Sequence, residues 1–334
     1  MSYNFYSLDT LLSDWYADAP KGSDLMAATP EAFPAVVAAK RARLTELLGL
    51  EKLCALGPVG ETRFLWVQEH EGYRIWSYDL DLLPDLALPF YLLSPDQPNG
   101  KTLLYLNGHG PGVAALIPGK DGEETDSLPV QFAKAGYAVI LPELVGFGPS
   151  IFDSHLNPEE RGCTAIAKHL LLHGTTLAGL RVLECERLLD VVGQVAPHIP
   201  MEKIASYGMS GGAMLNSYLF ALEPRLDAAI IANYPNTFEK SILAMHHCLC
   251  NYVPGILDLG DMAQIIALGA PKPLLISAGT VDPIFPLEGT EICWADLEKV
   301  YTKLGAREKC ELELFEGGHE ISNARVFGFL EKQF

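Results

Sequence analysis

From residue 101 onward, short apolar runs bounded by turns alternate with helix-like stretches. Six of the runs fit strands, namely Thr102–Leu106, Tyr137–Leu141, Lys203–Tyr207, Ala228–Ala232, Pro273–Ser277 and Glu311–Phe315. The helix-like stretches lie near Leu128–Ala135, Thr176–Val195, Ala213–Leu222, Thr290–Leu304 and Ile321–Glu331. Strands that alternate with helices are typical of a mostly parallel sheet with helices on both faces. The pattern therefore predicts an α/β fold.

The first hundred residues have a different pattern. Ser7–Trp15 and Ala35–Leu48 fit helices, and Gly49 ends the second one. Three strand-like runs follow at Phe64–Val67, Tyr73–Tyr78 and Phe90–Leu93, and the first two flank a hairpin turn. We expect residues 1–60 to form a helical extension packed on a main domain of residues 61–334. A short insertion is expected in that domain at about residues 233–270.

Composition and charge narrow the class of protein. A hydrophobic content of 49% excludes a disordered chain, and a net charge of −18 argues against nucleic acid or an anionic membrane as a partner. The N-terminus is acidic and no apolar run reaches membrane-spanning length. The seven cysteines lack the spacing of a disulfide-stabilised domain, which favours reduced thiols. These features predict a cytoplasmic protein, unless a signal peptide has been removed, and leave a homo-oligomer open.

A glycine-flanked serine stands where a strand should meet a helix. The run at residues 204–207 leads into Gly208-Met209-Ser210-Gly211-Gly212, and a helix-like stretch follows. Strand, G-x-S-x-G and helix in this order form the context of a nucleophile elbow. In such an elbow Ser210 has a strained backbone, and Gly208 and Gly212 leave room for the neighbouring chain. Ser210 is therefore the candidate nucleophile.

Two further residues complete a possible catalytic triad in the order Ser, Asp, His. Asp282 follows the strand-like run at residues 273–277, and His319 follows the run at 311–315 on a glycine-containing loop. In these roles Ser210 attacks, His319 transfers the proton, and Asp282 orients the imidazole. Each residue also has a simpler interpretation, because Asp282 precedes a proline and could start a turn. His319 could be an ordinary surface or helix N-terminal residue.

The same chemistry needs two backbone N–H groups to stabilise an oxyanion. One would come from Gly211, directly after the serine. The loop after the run at 102–106 reads Asn107-Gly108-His109-Gly110-Pro111-Gly112, and its glycines let amides turn toward a ligand. The amide of His109 is the candidate second donor, and an ordinary glycine turn is the alternative.

The chain also contains signals that point to metals and nucleotides. The segment His246-His247-Cys248-Leu249-Cys250 lacks the paired spacing of structural zinc sites, and His169 and His173 flank leucines that suggest packing. Residues 95–102 lack the first glycine of a P-loop, and residues 108–113 do not form a dinucleotide fingerprint. We expect neither a metal site nor a cofactor.

Taken together, the motifs resemble the α/β hydrolases, specifically the branch similar to dienelactone hydrolases and acetylxylan esterases. The resemblance covers roughly residues 60–334. It implies an eight-stranded sheet, a Ser-Asp-His triad and ester hydrolysis without a cofactor. Asn107 departs from the pattern, because that branch usually has histidine ahead of the oxyanion glycine. The motifs that carry the resemblance are Asn107–Gly112, Gly146–Gly148, Gly208–Gly212, Asn251–Gly255, Pro273–Asp282 with Phe285-Pro286, and Gly317–His319.

The resulting expectation is a serine esterase that acts on small-molecule carboxylic esters with short acyl groups, acetylated sugars among them. Between Ala232 and Pro273 no pair of amphipathic helices could roof a long acyl groove. Tyr234, Pro235, Tyr252 and Pro254 predict a stiff wall beside Ser210 instead. Two alternatives stay open: hydrolysis of another acyl or C–C bond by the same triad, and a non-catalytic binding member of the fold.

Overall fold

The computed structural model describes residues 8–119, 125–151 and 162–334. Its described strands form one sheet in the spatial order β1-β2-β3-β5-β4-β6-β7-β8-β9. The strands are β1 Thr62–His70, β2 Tyr73–Leu83, β3 Leu86–Pro95, β4 Thr102–Leu106, β5 Ala138–Pro142, β6 Ile204–Met209, β7 Leu226–Ala232, β8 Leu274–Gly279 and β9 Cys310–Phe315.

The helices surround this sheet. Within the described ranges they are α1 Leu8–Asp18, α2 Ser23–Ala27, α3 Phe33–Leu48, α4 Leu50–Cys54, α5 Leu128–Lys134, α6 Gly162–Leu172, α7 Leu177–Val195, α8 Gly211–Leu222, α9 Ile256–Leu259, α10 Met262–Ile266, α11 Leu287–Lys303 and α12 Val326–Gln333. Ser7, where the first helix was expected to begin, lies outside the described residues. No described helix is long and apolar enough to cross a membrane.

The sheet combines an antiparallel and a parallel part. Strands β1, β2 and β3 form a meander, and β3 pairs antiparallel with β5. From β5 onward the neighbours β4, β6, β7, β8 and β9 are all parallel. The described sheet has nine strands, one more than the resemblance implies, because the β1–β2 hairpin extends the antiparallel edge. Nine is also the number of strand-like runs in the sequence.

Each central strand is buried on both faces. In β4, Leu104 and Leu106 pack into the core under α3, α7, α8 and α11, while Leu103 and Tyr105 pack into the core under α5 and α12. Because successive side chains of a strand point to opposite faces, a continuous apolar run fills both cores. This arrangement confirms the predicted α/β fold with helices on both faces.

The N-terminal helices lie against the rest of the molecule. Lys40 Nζ donates to the carbonyl of Leu259 at 3.0 Å, and Thr176 Oγ1 donates to that of Leu48 at 3.1 Å. Helix α1 differs, because none of its residues is buried and Leu8, Leu11, Leu12 and Trp15 are exposed. The boundary expected near residue 60 stays a prediction.

Candidate active site

The sharp turn between β6 and α8 presents Ser210. Strand β6 ends at Met209 and α8 begins at Gly211, which leaves Ser210 alone at the junction. Its backbone has φ 56° and ψ −119°, a conformation that residues with a side chain rarely adopt. The Ser210 amide donates to the carbonyl of Ala232 at 2.9 Å, so the strained turn is attached to the end of β7.

The glycines on either side of Ser210 are required by close backbone contacts. A Cβ atom at Gly208 would lie 2.5 Å from the carbonyl oxygen of Gly212 and 2.8 Å from Asn216 Cβ. A Cβ at Gly212 would lie 2.1 Å from the carbonyl oxygen of Leu106. Helix α8 therefore packs against the carboxyl ends of β6 and β4 at a distance that only glycine permits.

The structure brings Ser210, Asp282 and His319 together. His319 Nε2 lies 2.8 Å from Ser210 Oγ, and His319 Nδ1 lies 2.8 Å from Asp282 Oδ2. The three residues follow β6, β8 and β9, whose carboxyl ends meet at one edge of the sheet. The imidazole thus bridges a hydroxyl and a carboxylate, an arrangement that can move a proton away from the serine.

Asp282 is fixed by hydrogen bonds to both of its oxygens. Oδ1 accepts from the amides of Ile284 at 2.8 Å and Phe285 at 3.1 Å, while Oδ2 faces His319. Burial by itself would raise the pKa of Asp282, but the hydrogen bonds from His319 and from these amides outweigh it and hold the pKa below the usual value. Asp282 thus starts a turn and contacts the imidazole at the same time.

Asn233 positions the loop that carries His319. This asparagine was not among the predicted site residues. It follows β7 with φ 50°, is 1% exposed, and donates from Nδ2 to the carbonyl of Glu320. Its Oδ1 accepts from the amide of Gly279 at 3.2 Å, at the end of β8. One asparagine therefore connects three strand ends beside the imidazole. Its place directly after a strand-like run was the only signal in the sequence.

The glycine-rich loop after β4 lies against the elbow. A Cβ at Gly108 would be 3.2 Å from Ser210 Cβ, and a Cβ at Gly211 would be 2.5 Å from His109 Nδ1. Asn107 is buried and donates from Nδ2 to the carbonyl of its neighbour Gly108 at 2.9 Å. The structure therefore places Gly211 and the loop that carries His109 next to Ser210, and the role of their amides as oxyanion donors stays a prediction.

A buried carboxyl group anchors this loop, and it too was absent from the predicted site. Glu143, which follows β5 and is 0% exposed, accepts from the amides of Ala114 at 3.0 Å and Val113 at 3.3 Å. Burial outweighs these two hydrogen bonds and raises the pKa of Glu143 to about 7. The anchor therefore titrates near neutral pH.

The residues of the predicted wall lie in two different places. Tyr234 and Pro235 are buried, and Tyr234 packs on Phe285, whose ring stacks on His319 at 5.7 Å. Tyr252 and Pro254 line a cavity of about 880 Å³ between α1 and residues 238–258, and Ser210 does not line it.

A group of sulfur and imidazole side chains lies on the other side of the loop after β4. His109, Cys163, Cys248 and Cys250 offer ligand atoms that all lie within 4.8 Å of one another. Two discounted clusters can now be compared with this group. From the first, Cys248 and Cys250 take part and His246 and His247 do not, and from the second neither His169 nor His173 takes part. All seven cysteines lie in the described ranges and are free thiols.

Comparisons with known proteins agree with this architecture. No family model matches the chain. A Bacillus subtilis protein named "Putative hydrolase YtaP" is 26% identical over 268 residues, which are 76% of this chain and 85% of that protein. The structure of a "putative acetyl xylan esterase" from Bacteroides fragilis matches with a TM-score of 0.74 and 16% identity, covering 94% of this chain and 83% of that one. A methylesterase matches with a TM-score of 0.71 and 17% identity, covering 97% and 68%. The chain has the α/β-hydrolase fold.

Proposed function

We propose that this protein is a serine hydrolase that cleaves carboxylic esters through an acyl-enzyme intermediate. The observation that carries the proposal is the imidazole of His319, which lies 2.8 Å from both Ser210 Oγ and Asp282 Oδ2. A serine hydroxyl needs such a base to become a nucleophile near neutral pH. The names of the structural neighbours and of the Bacillus relative support ester hydrolysis as the reaction.

In the first half of the reaction Ser210 Oγ attacks the ester carbonyl and His319 Nε2 takes the hydroxyl proton. Asp282 accepts from His319 Nδ1–H, which leaves Nε2 free as the base and stabilises the imidazolium that forms. His319 then gives the proton to the departing alcohol. In the second half a water molecule, activated by the same nitrogen, releases the acid and restores the serine.

The tetrahedral intermediates need donors for their oxyanion. We assign this role to the backbone amides of Gly211 and His109. Gly211 is the first residue of α8, where the helix dipole favours negative charge, and the His109 ring lies against it. Glu143 is a positioning residue here, because it holds the amides of Val113 and Ala114 at the far end of the same loop.

We infer that the substrates are esters with short acyl groups. Between β7 and β8 the structure contains only α9 and α10, of four and five residues, and short turns, so this segment offers no helical roof for a long chain. Acetylated sugars are the first class to test, since one neighbour is named as an acetyl xylan esterase.

The test combines covalent labelling with turnover. The wild-type protein should react with a fluorophosphonate at Ser210, located by peptide mass spectrometry, and should hydrolyse p-nitrophenyl acetate. Ser210→Ala should lose labelling and on the order of 10³ or more in kcat/KM. Ser217→Ala is the matched control: Ser217 is a buried serine of α8 whose hydroxyl donates to the carbonyl of Ala213 at 2.8 Å. Unlabelled, inactive wild-type protein would favour a binding member of the fold.

A further inference from the structure

Three segments far apart in the sequence bring four soft ligands together. His109 lies in the loop after β4, Cys163 in the first turn of α6, and Cys248 and Cys250 beside and in the turn at Leu249–Asn251. Their ligand atoms all lie within 4.8 Å of one another, and His109 Nε2 lies 3.1 Å from Cys250 Sγ.

We propose that His109, Cys163, Cys248 and Cys250 bind one zinc ion. Three thiolates and one imidazole form a common structural zinc set. Tetrahedral zinc, with bonds of about 2.3 Å to sulfur and about 2.0 Å to nitrogen, places its ligand atoms about 3.5–3.8 Å apart. The ligand atoms lie from 3.1 Å to at most 4.8 Å apart in the structure, a range that includes this interval. Small side-chain movements would therefore bring them to the distances that zinc requires. Four protein ligands fill the coordination sphere, which makes the site structural.

The surrounding charge fits a zinc–thiolate centre. Zinc with three thiolates and a neutral imidazole carries one net negative charge. Arg181 is 0% exposed and donates from Nη2 to Cys163 Sγ at 2.9 Å. Among the described residues Arg181 forms no ion pair, and its Nη1 has no hydrogen-bond partner. Glu184 interacts with it electrostatically, but burial raises the pKa of Glu184 to about 8, so this carboxyl supplies little negative charge near neutral pH. A buried guanidinium needs a nearby anion, and the proposed centre supplies one.

Further contacts match the outer shell of a thiolate site. Asn251 Nδ2 donates to Cys250 Sγ at 3.8 Å, which is a second N–H to sulfur contact beside that of Arg181. Metal binding requires thiolates, and outer-shell donors of this kind stabilise them.

An ion can enter the site from solvent. Cys163 and Cys250 are 7% and 1% exposed, whereas His109 is exposed and Cys248 half-buried. Two of the ligands are therefore buried and two are accessible, as a site filled after folding requires.

The position of the site suggests what the ion does. Zinc would fasten the loop at residues 107–112 to α6 and to the turn at 249–251. The His109 ring also lies against Gly211, so the ion would hold this loop beside the nucleophile elbow. This consequence rests on the proposed function, but metal binding itself does not.

The experiment measures metal binding without reference to activity. The full-length protein is prepared in reducing buffer, stripped with a strong chelator, and titrated with Zn²⁺ or Co²⁺ while bound metal is counted by mass spectrometry. We expect one ion per chain, and with Co²⁺ a sulfur-to-metal charge-transfer band together with the visible bands of tetrahedral cobalt. Failure to take up metal, or a cobalt spectrum without a thiolate band, would overturn the proposal.

Variants locate the site. Cys163→Ser, Cys250→Ser and His109→Gln should each weaken Zn²⁺ binding at least about tenfold, since even outer-shell changes cost that much. Cys185→Ser and Cys293→Ser, which change buried thiols elsewhere, should bind as wild type. Circular dichroism verifies folding, and exposed His109 provides the test if a buried cysteine variant fails to fold. Unchanged binding in all three ligand variants would contradict the assignment. If two of the three cysteines form a disulfide and the reduced protein takes up no metal, the group would be a redox-active cysteine pair and not a zinc site.

Discussion

Ser210 shows how single residues set the geometry of this site. A positive φ at a serine is unfavourable, and it persists because the strand before and the helix after it are held in place. Gly208 and Gly212 make this possible, since each lies where a Cβ would meet backbone atoms. These requirements could be predicted from the sequence, because the elbow is a local motif with glycine at fixed positions.

The first prediction compares two helical glycines. Gly212→Ala places a Cβ 2.1 Å from the carbonyl oxygen of Leu106, which cannot move without shifting β4. We expect the free energy of unfolding to fall on the order of 3 kcal/mol. Gly328→Ala in α12 meets nothing within 4 Å and should stabilise the protein by about 0.5–1 kcal/mol. Urea denaturation measures both, and equal effects would contradict the contact argument.

Glu143 provides a prediction with a defined pH dependence. Its pKa is raised in the folded state from 4.5 to about 7, so between these values the folded protein keeps a proton that the unfolded chain releases. Unfolding then releases a proton, and the contribution of Glu143 to stability falls as pH rises. Relative to Glu143→Gln, the unfolding free energy of the wild type should fall by up to roughly 3 kcal/mol from pH 4 to pH 8. Parallel curves for the two proteins in urea denaturation would refute this.

At the scale of elements, the buried strands were the most predictable part. Apolar runs such as that of β4 fill both cores, so their pattern is strong and their ends lie within a residue or two of prediction. The short helix α10 was missed, although Asp261 and Gln264 form a capping box that the sequence displays. Helix α12 begins at Val326 instead of Ile321, because Ser322 turns its hydroxyl to Glu313 on β9.

Contacts between strand ends could not be predicted, since they depend on which strands are neighbours. Asn233 is the clearest case: it connects the end of β7 with Gly279 and with the loop that carries His319. Nothing in the sequence around residue 233 indicates these partners. The same holds for Glu143, whose partners lie about thirty residues earlier in the chain.

The third prediction tests whether Asn233 positions His319. Asn233→Gly tolerates the positive φ but removes both side-chain hydrogen bonds, so it separates positioning from backbone strain. We expect kcat for a short ester to fall about tenfold, the equivalent of one lost hydrogen bond, with KM nearly unchanged. Fluorophosphonate labelling should slow by the same factor. The control Asn323→Ala changes an exposed asparagine that bonds to Gln131 and should have no effect on either rate. A rise in KM with kcat unchanged would contradict a positioning role.

At the scale of the whole molecule, distant segments create features that no local pattern shows. The sulfur group around Cys250 combines residues 109, 163, 248 and 250, of which only Cys248 and Cys250 are close in the sequence, so the paired spacing of a zinc motif is absent and no metal site was predicted. Conversely, the order Ser, Asp, His along the chain was informative, since parallel strands bring their carboxyl ends to one edge. The order of the strands in the sheet thus decides which motifs can be assigned to a site from the sequence alone.

The described segment between β7 and β8 contains no helix long enough to cover a long acyl chain. Helix α10 has five residues, all of them buried, and α9 has four residues, of which Ile256 and Leu259 are buried, so neither helix forms a roof over the site. A long acyl chain gains at most about 0.8 kcal/mol per buried methylene, and only where an apolar groove receives it. If the described residues between β7 and β8 are what such a chain would meet, added methylenes remain in water, since no long helix there covers them.

The last prediction follows from that absence of a roof. The kcat/KM for p-nitrophenyl acetate or butyrate should exceed that for the dodecanoate by at least about tenfold, or about 1.4 kcal/mol in the transition state. The dodecanoate is assayed below its micelle concentration, so that poor solubility does not imitate specificity. Titration with a fluorophosphonate counts active sites and places all three esters on one scale. Equal or faster turnover of the dodecanoate would show that a long acyl groove exists, and the preference for short acyl groups would have to be abandoned while the serine mechanism stood.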